Sequence, residues 1–265
     1  MGIFMSCSFD NNDVIQTTKK LTDAQSRLQR IVGEDGLTKL SQAHIVVFGL
    51  GGVGSNCVEA LARGGIGKLT LIDGDCVEPS NINRQAIAFM STLGKRKVDV
   101  CNAMCHQINP SICINTIDQF VLARDVGNLI QSINHSCNID YIIDCIDTVS
   151  TKLELAQVAQ SFSIRLISAM GSANKLYPEH FKITDITKTV NCPLCRIMRK
   201  ECRKRGIRHL RVIFSDEQPV QVDSQPAATR QDRSNLGTMS YAPPIMGQML
   251  AADVIRTILG WNMEN

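Results

Sequence analysis

Apolar and polar positions alternate along this chain with two periods, and the sharpest block lies between His44 and Asp73. Residues 45–48 are a short, unbroken apolar run of the length and β-branched character of a buried strand. Four glycines follow, Gly49, Gly51, Gly52 and Gly54, and then a helix-like segment at 57–62. A second apolar run, 69–72, ends on Asp73. Downstream the same reading predicts a helix at 93–108, stopped by Asn109-Pro110, and a strand at 112–117. It continues with a helix at 125–133, a strand at 141–146, a helix capped by Thr148 that runs to about 161, and a strand at 164–169. Upstream, residues 23–40 read as helix. Strands and helices thus alternate five times, which predicts an α/β protein with a doubly wound, mostly parallel sheet and right-handed connections.

After Gly171 the alternation breaks down into a C-terminal extension of short strands and helices. A strand is expected at 181–186, a basic helix at 193–205 closed by Gly206, and a short strand at 211–214. Residues 217–235 are polar, with Pro and Ser, and read as a mobile loop. The last helix is placed at 250–259, entered through Pro243-Pro244 and closed by Gly260. There is no internal repeat. The expected division is a flexible tail at 1–22 and one domain at 23–265, with a nucleotide-binding core at 23–170 and a substrate region at 171–265.

Strand, tight glycine turn, helix, strand and acid make the layout of a nucleotide-binding βαβ unit. The glycines admit phosphate close to the backbone, and the following helix start offers free N–H groups and a positive dipole end. Asp73 stands where a carboxylate would accept from ribose hydroxyls. The motif alone leaves NAD and ATP open. Residues 73–85, rich in Asp, Asn, Ser and Pro, form a loop just past a strand end, where such folds place their chemistry. Lys95, Arg96 and Lys97 at a helix start oppose the helix dipole, an arrangement a bound polyphosphate would offset. Asp147 follows the strand at 141–146 and is expected to leave the same sheet edge.

Apolar residues at 44% and charged ones at 20% exclude a disordered chain, and no apolar run is long enough for a membrane span. The net charge of +3 is mild, so contact with nucleic acid would need a local patch. One exists between 196 and 211: Arg196, Arg199, Lys200, Arg203, Lys204, Arg205, Arg208 and Arg211, opposed by Glu201. It reads either as a solvated face or as a phosphate-tracking surface, and it lacks interleaved aromatics for stacking on bases. The eleven cysteines, mostly inside apolar segments, read as reduced thiols of a cytoplasmic protein. Residues 1–6 fit an N-myristoylation pattern, with Cys7 available for a second acyl chain; an unmodified tail is the plainer reading. Cys192-Pro-Leu-Cys195 has zinc-ligand spacing, but the sequence lacks a second such pair. Cys202 and His209 would have to complete the site, so zinc is not expected.

Taken together, Gly49–Gly54, Asp73-Gly-Asp75, Ser80-Asn-Ile-Asn-Arg-Gln85, Gly94-Lys-Arg-Lys97 and Asp144-Cys-Ile-Asp147 resemble the adenylate-forming, Rossmann-like, ubiquitin-activating-enzyme-like superfamily. Residues 183–189, 193–207, 212–219 and 237–247 look like one branch of it, the tRNA threonylcarbamoyladenosine dehydratases. That resemblance implies ATP rather than NAD. It also implies a cyclising loss of water from threonylcarbamoyladenosine next to the anticodon, through adenylation of its carboxylate. By motif position, Gly49, Gly51, Gly52, Gly54, Asp73, Asp75, Asn81, Arg84, Gln85 and Lys97 would hold ATP, with Asp73 on the ribose and Asn81, Arg84 and Lys97 on the phosphates. Asp147 would hold Mg²⁺. Arg30, or less well Arg27, would be given in trans to a partner's ATP, which implies a homodimer. Arg30, Arg84, Lys97 and Asp147 are therefore the expected catalytic set. Arg196, Arg199, Lys200, Arg203, Lys204 and Arg205 are the expected tRNA contacts. A sulfur-relay or carrier partner is also in view, because the rival activity is adenylation of the C-terminal glycine of a ubiquitin-like or sulfur-carrier protein. A third reading, a nucleotide-binding scaffold without turnover, conflicts with the presence of Arg84, Lys97 and Asp147.

Overall fold

The computed structural model describes residues 11–222 and 236–261, with the side chains of 11–23 outside that description. The N-terminal lipidation motif and most of the loop read at 217–235 fall outside the described residues. Seven strands form one sheet: β1 (His44–Phe48), β2 (Lys68–Ile72), β3 (Cys113–Ile117), β4 (Tyr141–Asp144), β5 (Arg165–Ala169), β6 (Phe181–Asp185) and β7 (Arg211–Ser215). Their order is β3-β2-β1-β4-β5-β7-β6. The pairs are parallel except the last, where β6 runs antiparallel to β7. The C-terminal strands therefore extend the same sheet.

Both faces of the sheet are covered, which explains why β1 reads as a continuous apolar run. Ile45 and Val47 join a core with Leu61, Val98, Met246 and Leu250 on one side. Val46 and Phe48 join a second core with Val126, Ile130 and Leu155 on the other. The first layer holds α2 (Gly52–Arg63), α3 (Lys97–Ile108) and α7 (Ala242–Leu259). The second holds α4 (Val126–Ser136) and α5 (Val149–Ser161), and α6 (Pro193–Lys204) packs with α5 and β7 in a third cluster around Met198 and Phe214.

Several boundaries differ from the pattern reading. The first helix, α1 (Asn11–Gln42), starts well before residue 23 and is interrupted at Gly33, whose φ of 71° and ψ of 178° are not helical. Its first half is polar, and that polarity resembles a leader. Helix α2 starts at Gly52, inside the glycine cluster, and α3 starts only at Lys97. Helix α7 starts at Ala242, because Pro243 and Pro244 sit in its first turn, where no N–H is needed. Thr148 occupies the N-cap of α5, but its side chain makes no capping bond. Helix α7 lies so close on α2 that a Cβ at Gly247 would fall 2.3 Å from the Val53 carbonyl oxygen. That contact clamps the helix beneath the glycine turn.

Candidate active site

Strands β2, β1 and β4 are neighbours, so the glycine turn after β1, Asp73 after β2 and the segment after β4 leave one edge of the sheet together. The turn is shaped by steric necessity. Gly49 has φ 87°, and a Cβ there would meet the Cys145 carbonyl oxygen at 2.8 Å. At Gly54 a Cβ would fall 1.9 Å from the Gly49 carbonyl oxygen, and at Gly52 it would press on Pro243 and the Arg84 stem. Gly51 differs: nothing lies within 4 Å of its Cβ position, so its face is open. Gly51 is also the N-cap of α2 and supplies no side-chain acceptor to the helix start. Gly54→Ala is expected to cost about 1–3 kcal/mol through overpacking, read as a lower urea midpoint; an unshifted midpoint would mean that the turn relaxes freely.

Asp73 is half-buried and braces this turn. One carboxylate oxygen accepts the Leu50 N–H at 2.6 Å and the other accepts the Asp75 N–H at 2.8 Å. Asp75 in turn receives the Lys97 ammonium at 2.9 Å, and its carbonyl accepts the Lys97 N–H at 3.0 Å. Arg96 pairs with Asp118, with its Nε 2.6 Å from a carboxylate oxygen, and the pair raises the Arg96 pKa. Of the three cations at the start of α3, Lys97 and Arg96 are thus met by Asp75 and Asp118, while Lys95 is exposed and in no ion pair among the described residues.

Arg84 lays its stem on Gly52 and donates to the Ser80 carbonyl at 2.9 Å and the Asn83 side chain at 2.8 Å. Asn81 is buried, and its side-chain oxygen accepts the Glu78 N–H at 3.1 Å, so it folds the loop that carries Arg84. Gln85 is buried with its Oε1 left without a hydrogen-bond partner. Asp147 is exposed beyond the end of β4 and makes no ion pair among the described residues. Arg30 is not brought to the site of its own chain. It is exposed on α1, whose Gln25 and Leu28 border Gly65 at the entrance to β2, the far end of the strand from Asp73.

A buried charge network lies directly behind this edge, and the sequence reading missed it. Asp144 and Lys152 are 0% and 1% exposed. The Lys152 ammonium is 3.1 Å from one Asp144 oxygen and donates to the Ala169 carbonyl at 2.8 Å and to Ser168 Oγ at 3.3 Å. Ser168 donates to Asp144 at 2.5 Å, and the other Asp144 oxygen accepts the Ile146 N–H. The available signal was a lysine among Leu153, Leu155 and Ala156 on the buried face of α5.

The basic run is only partly free. Arg199 donates to the Thr189 carbonyl at 2.7 Å, Arg205 to Glu154 at 3.2 Å, Lys204 to Glu201 at 2.7 Å, and Arg211 to Asp253 at 2.7 and 2.8 Å. Glu154 and Asp253 therefore oppose it in addition to Glu201. Arg196, Lys200, Arg203 and Arg208 are exposed and in no ion pair among the described residues. Cys192 and Cys195 touch at the start of α6, but His209 is 89% exposed and faces Asp185. Among the described residues no three or more His, Cys, Asp or Glu side chains gather as metal ligands.

A parallel sheet with a braced glycine turn, an acid on the neighbouring strand and cations around it defines a nucleotide-binding α/β protein. The model of the ThiF family matches residues 22–265, and the chain belongs to that family. It is 35% identical over 243 residues to the tRNA threonylcarbamoyladenosine dehydratase of Bacillus subtilis (strain 168), covering 88% of this chain and 94% of that one. The enzyme of the same name from Haemophilus influenzae is 41% identical over 66% of this chain and 65% of its own length. The crystal structure of Escherichia coli tRNA N6-threonylcarbamoyladenosine dehydratase in complex with ATP superposes with a TM-score of 0.79 at 29% identity, over 90% of this chain and 95% of that one.

Proposed function

We propose that this chain is an ATP-dependent tRNA threonylcarbamoyladenosine dehydratase. The carrying observation is that Arg84 and the Asp75–Lys97 pair flank a glycine turn open at Gly51, in a chain similar to the dehydratases along nearly its whole length. The residues suit a nucleotide. The orphaned Gln85 Oε1 wants a donor, Gly51 leaves room for phosphate, and both Asp73 oxygens keep lone pairs for ribose hydroxyls.

A carboxylate is a poor electrophile because its leaving group would be oxide. Its oxygen attacks the α-phosphorus of ATP and pyrophosphate leaves. An internal nucleophile of the modified adenosine then attacks the acyl carbon, and AMP departs with the former carboxylate oxygen. The net change in the nucleoside is loss of water. Lys97 and Arg84 neutralise the charge that builds on the phosphates, and Asp73 orients the ribose. Asp147 is the carboxylate that would hold Mg²⁺, a hard cation that would supply further positive charge to phosphate oxygens. Arg30, remote from the site of its own chain, suits delivery to the ATP of a second copy, so the working unit is a homodimer. No helix among the described residues is long and apolar enough to cross a membrane.

The deciding experiment mixes the protein, Mg-ATP and tRNA bearing threonylcarbamoyladenosine, and weighs the released nucleosides. A product lighter by one water is expected. Absence of that product together with adenylation of a ubiquitin-like carrier would establish the rival activity instead. In the same assay Asp147→Ala should lower turnover by at least about tenfold; wild-type turnover would remove Asp147 from the site. The exposed cations Arg196, Lys200 and Arg203 suit contact with tRNA phosphates. Affinity for tRNA should then fall at least about tenfold between 50 and 200 mM salt, and a flat dependence would free α6 of that role.

A further inference from the structure

The start of α6 carries chemistry that the dehydratase reading does not use. Asn191, with φ 53°, turns the chain so that Cys192 becomes the helix N-cap. Asn adopts this conformation more readily than most residues. The Cys192 sulfur accepts the Cys195 N–H at 3.4 Å. Both cysteines are buried, Cys195 fully and Cys192 with 7% exposure, so Cys192 is the sulfur a reagent meets first.

A second group, a buried cation, bears on the same sulfur through its charge. Lys175, in the loop after β5, is 3% exposed. It donates to the Glu217 carbonyl oxygen and is in no ion pair with a carboxylate among the described residues. The Glu217 carboxylate is occupied by the N–H groups of Leu176 and Tyr177. Glu217 is the nearest opposite charge in effect and Cys192 the next, so the ammonium also favours the Cys192 thiolate.

We propose that Cys192 and Cys195 form a redox-active dithiol that exchanges with low-molecular-weight disulfides and closes to a reversible disulfide at the start of α6. The Cys192 thiolate attacks one sulfur of a small disulfide, forms a mixed disulfide and releases the other half as thiolate. Cys195 gives up its proton, its sulfur attacks that of Cys192, and the second half leaves as thiolate. Two protein thiols lose two electrons and one small disulfide gains them, with the Cys195 proton passing to a departing thiolate. Hydrogen bonds from Cys195 and the Lys175 charge hold the Cys192 thiol at about pKa 6. Burial instead pushes Cys57 and Cys145 well above the usual range, and the neighbouring Cys105 thiol together with burial does the same to Cys101. The roles are therefore asymmetric: Cys192 attacks and Cys195 resolves. A zinc reading is weaker, because the pair lacks further ligands among the described residues.

Both cysteines fall in the tryptic peptide 189–196, which makes the test direct. The full-length protein is exposed to oxidised glutathione under native conditions, capped with N-ethylmaleimide and digested. The expected result is peptide 189–196 lacking both thiol hydrogens and carrying no cap, and restored to its capped form when reductant precedes the maleimide. Cys195→Ser should stall with glutathione on Cys192, and Cys192→Ser should leave Cys195 unmodified. Without oxidant, Cys192 should alkylate at least about tenfold faster than Cys57 or Cys101 at pH 7, in line with its thiolate fraction. Recovery of both cysteines as capped thiols, after exposure that modifies the exposed Cys113, overturns the proposal. So does a stoichiometric metal that must be chelated away before Cys192 reacts. Both readouts use wild-type protein, so they stand even if a variant fails to fold.

Discussion

Lys97→Ala is expected to lower formation of the dehydrated nucleoside by about 10²–10³-fold, the loss typical of removing one preorganised cation from a site of charge development. The side chain is 7% exposed at the first position of α3, and Asp75 holds its ammonium at 2.9 Å. It is therefore fixed before substrate arrives, and water does little to screen it. Asp75 is half exposed, so its carboxylate re-solvates when the lysine is lost, and the stability change should stay within about 1 kcal/mol. Lys97→Arg keeps the charge but replaces a compact ammonium with a planar fork in a closed space, and only partial recovery is expected. Single-turnover rates read with unfolding curves separate the two effects. Turnover within tenfold of wild type, at unchanged stability, would place Lys97 outside the chemistry.

Lys152→Ala should destabilise the fold by about 3–5 kcal/mol, because it strands a carboxylate with no access to water. Asp144 would keep the Ser168 hydroxyl and the Ile146 N–H but lose its only cation among the described residues. The double variant Asp144→Leu with Lys152→Leu removes both charges and should fall well short of that loss, since apolar replacement of a buried pair is often neutral. Urea midpoints for the single and double variants test the pair. A mild single loss, or a double loss as large as the single one, would show that the network is not an uncompensated-charge problem. Asp144 ends β4, and the segment carrying Asp147 begins there, so the double variant should also turn over more slowly through displacement of that segment.

Much of the fold was legible because its strands are buried on both faces. A run such as 45–48 needs no alternation to be recognised when each side meets its own core, with Leu61 and Leu250 on one and Ile130 and Leu155 on the other. The glycine cluster was legible for a related reason: Gly49 and Gly54 each stand where a side chain would strike backbone. What stayed hidden depends on distant partners. No local pattern says that 181–185 and 211–215 pair antiparallel on the end of the same sheet. Asp118 answers Arg96 from 22 residues away, so the cationic start of α3 looked unopposed. Asn81 resembles a phosphate-binding group by motif position, and no local pattern says that its side chain also closes its own turn. Helix α1 conceals its start in polar residues and its break in a single glycine at position 33.

The interlock of Gly49 with Gly54 and Cys145, pinned from the side by Leu50 on Asp73, holds this loop by contacts of its own that owe nothing to a ligand. Nucleotide capture should then resemble filling a rigid mould. Little ordering entropy is lost, little apolar surface is newly covered, and the heat-capacity change of binding stays small. Affinity at such a surface is set by how well fixed dipoles and charges match the incoming anion. Evolution could retune it one side chain at a time without reshaping the backbone beneath.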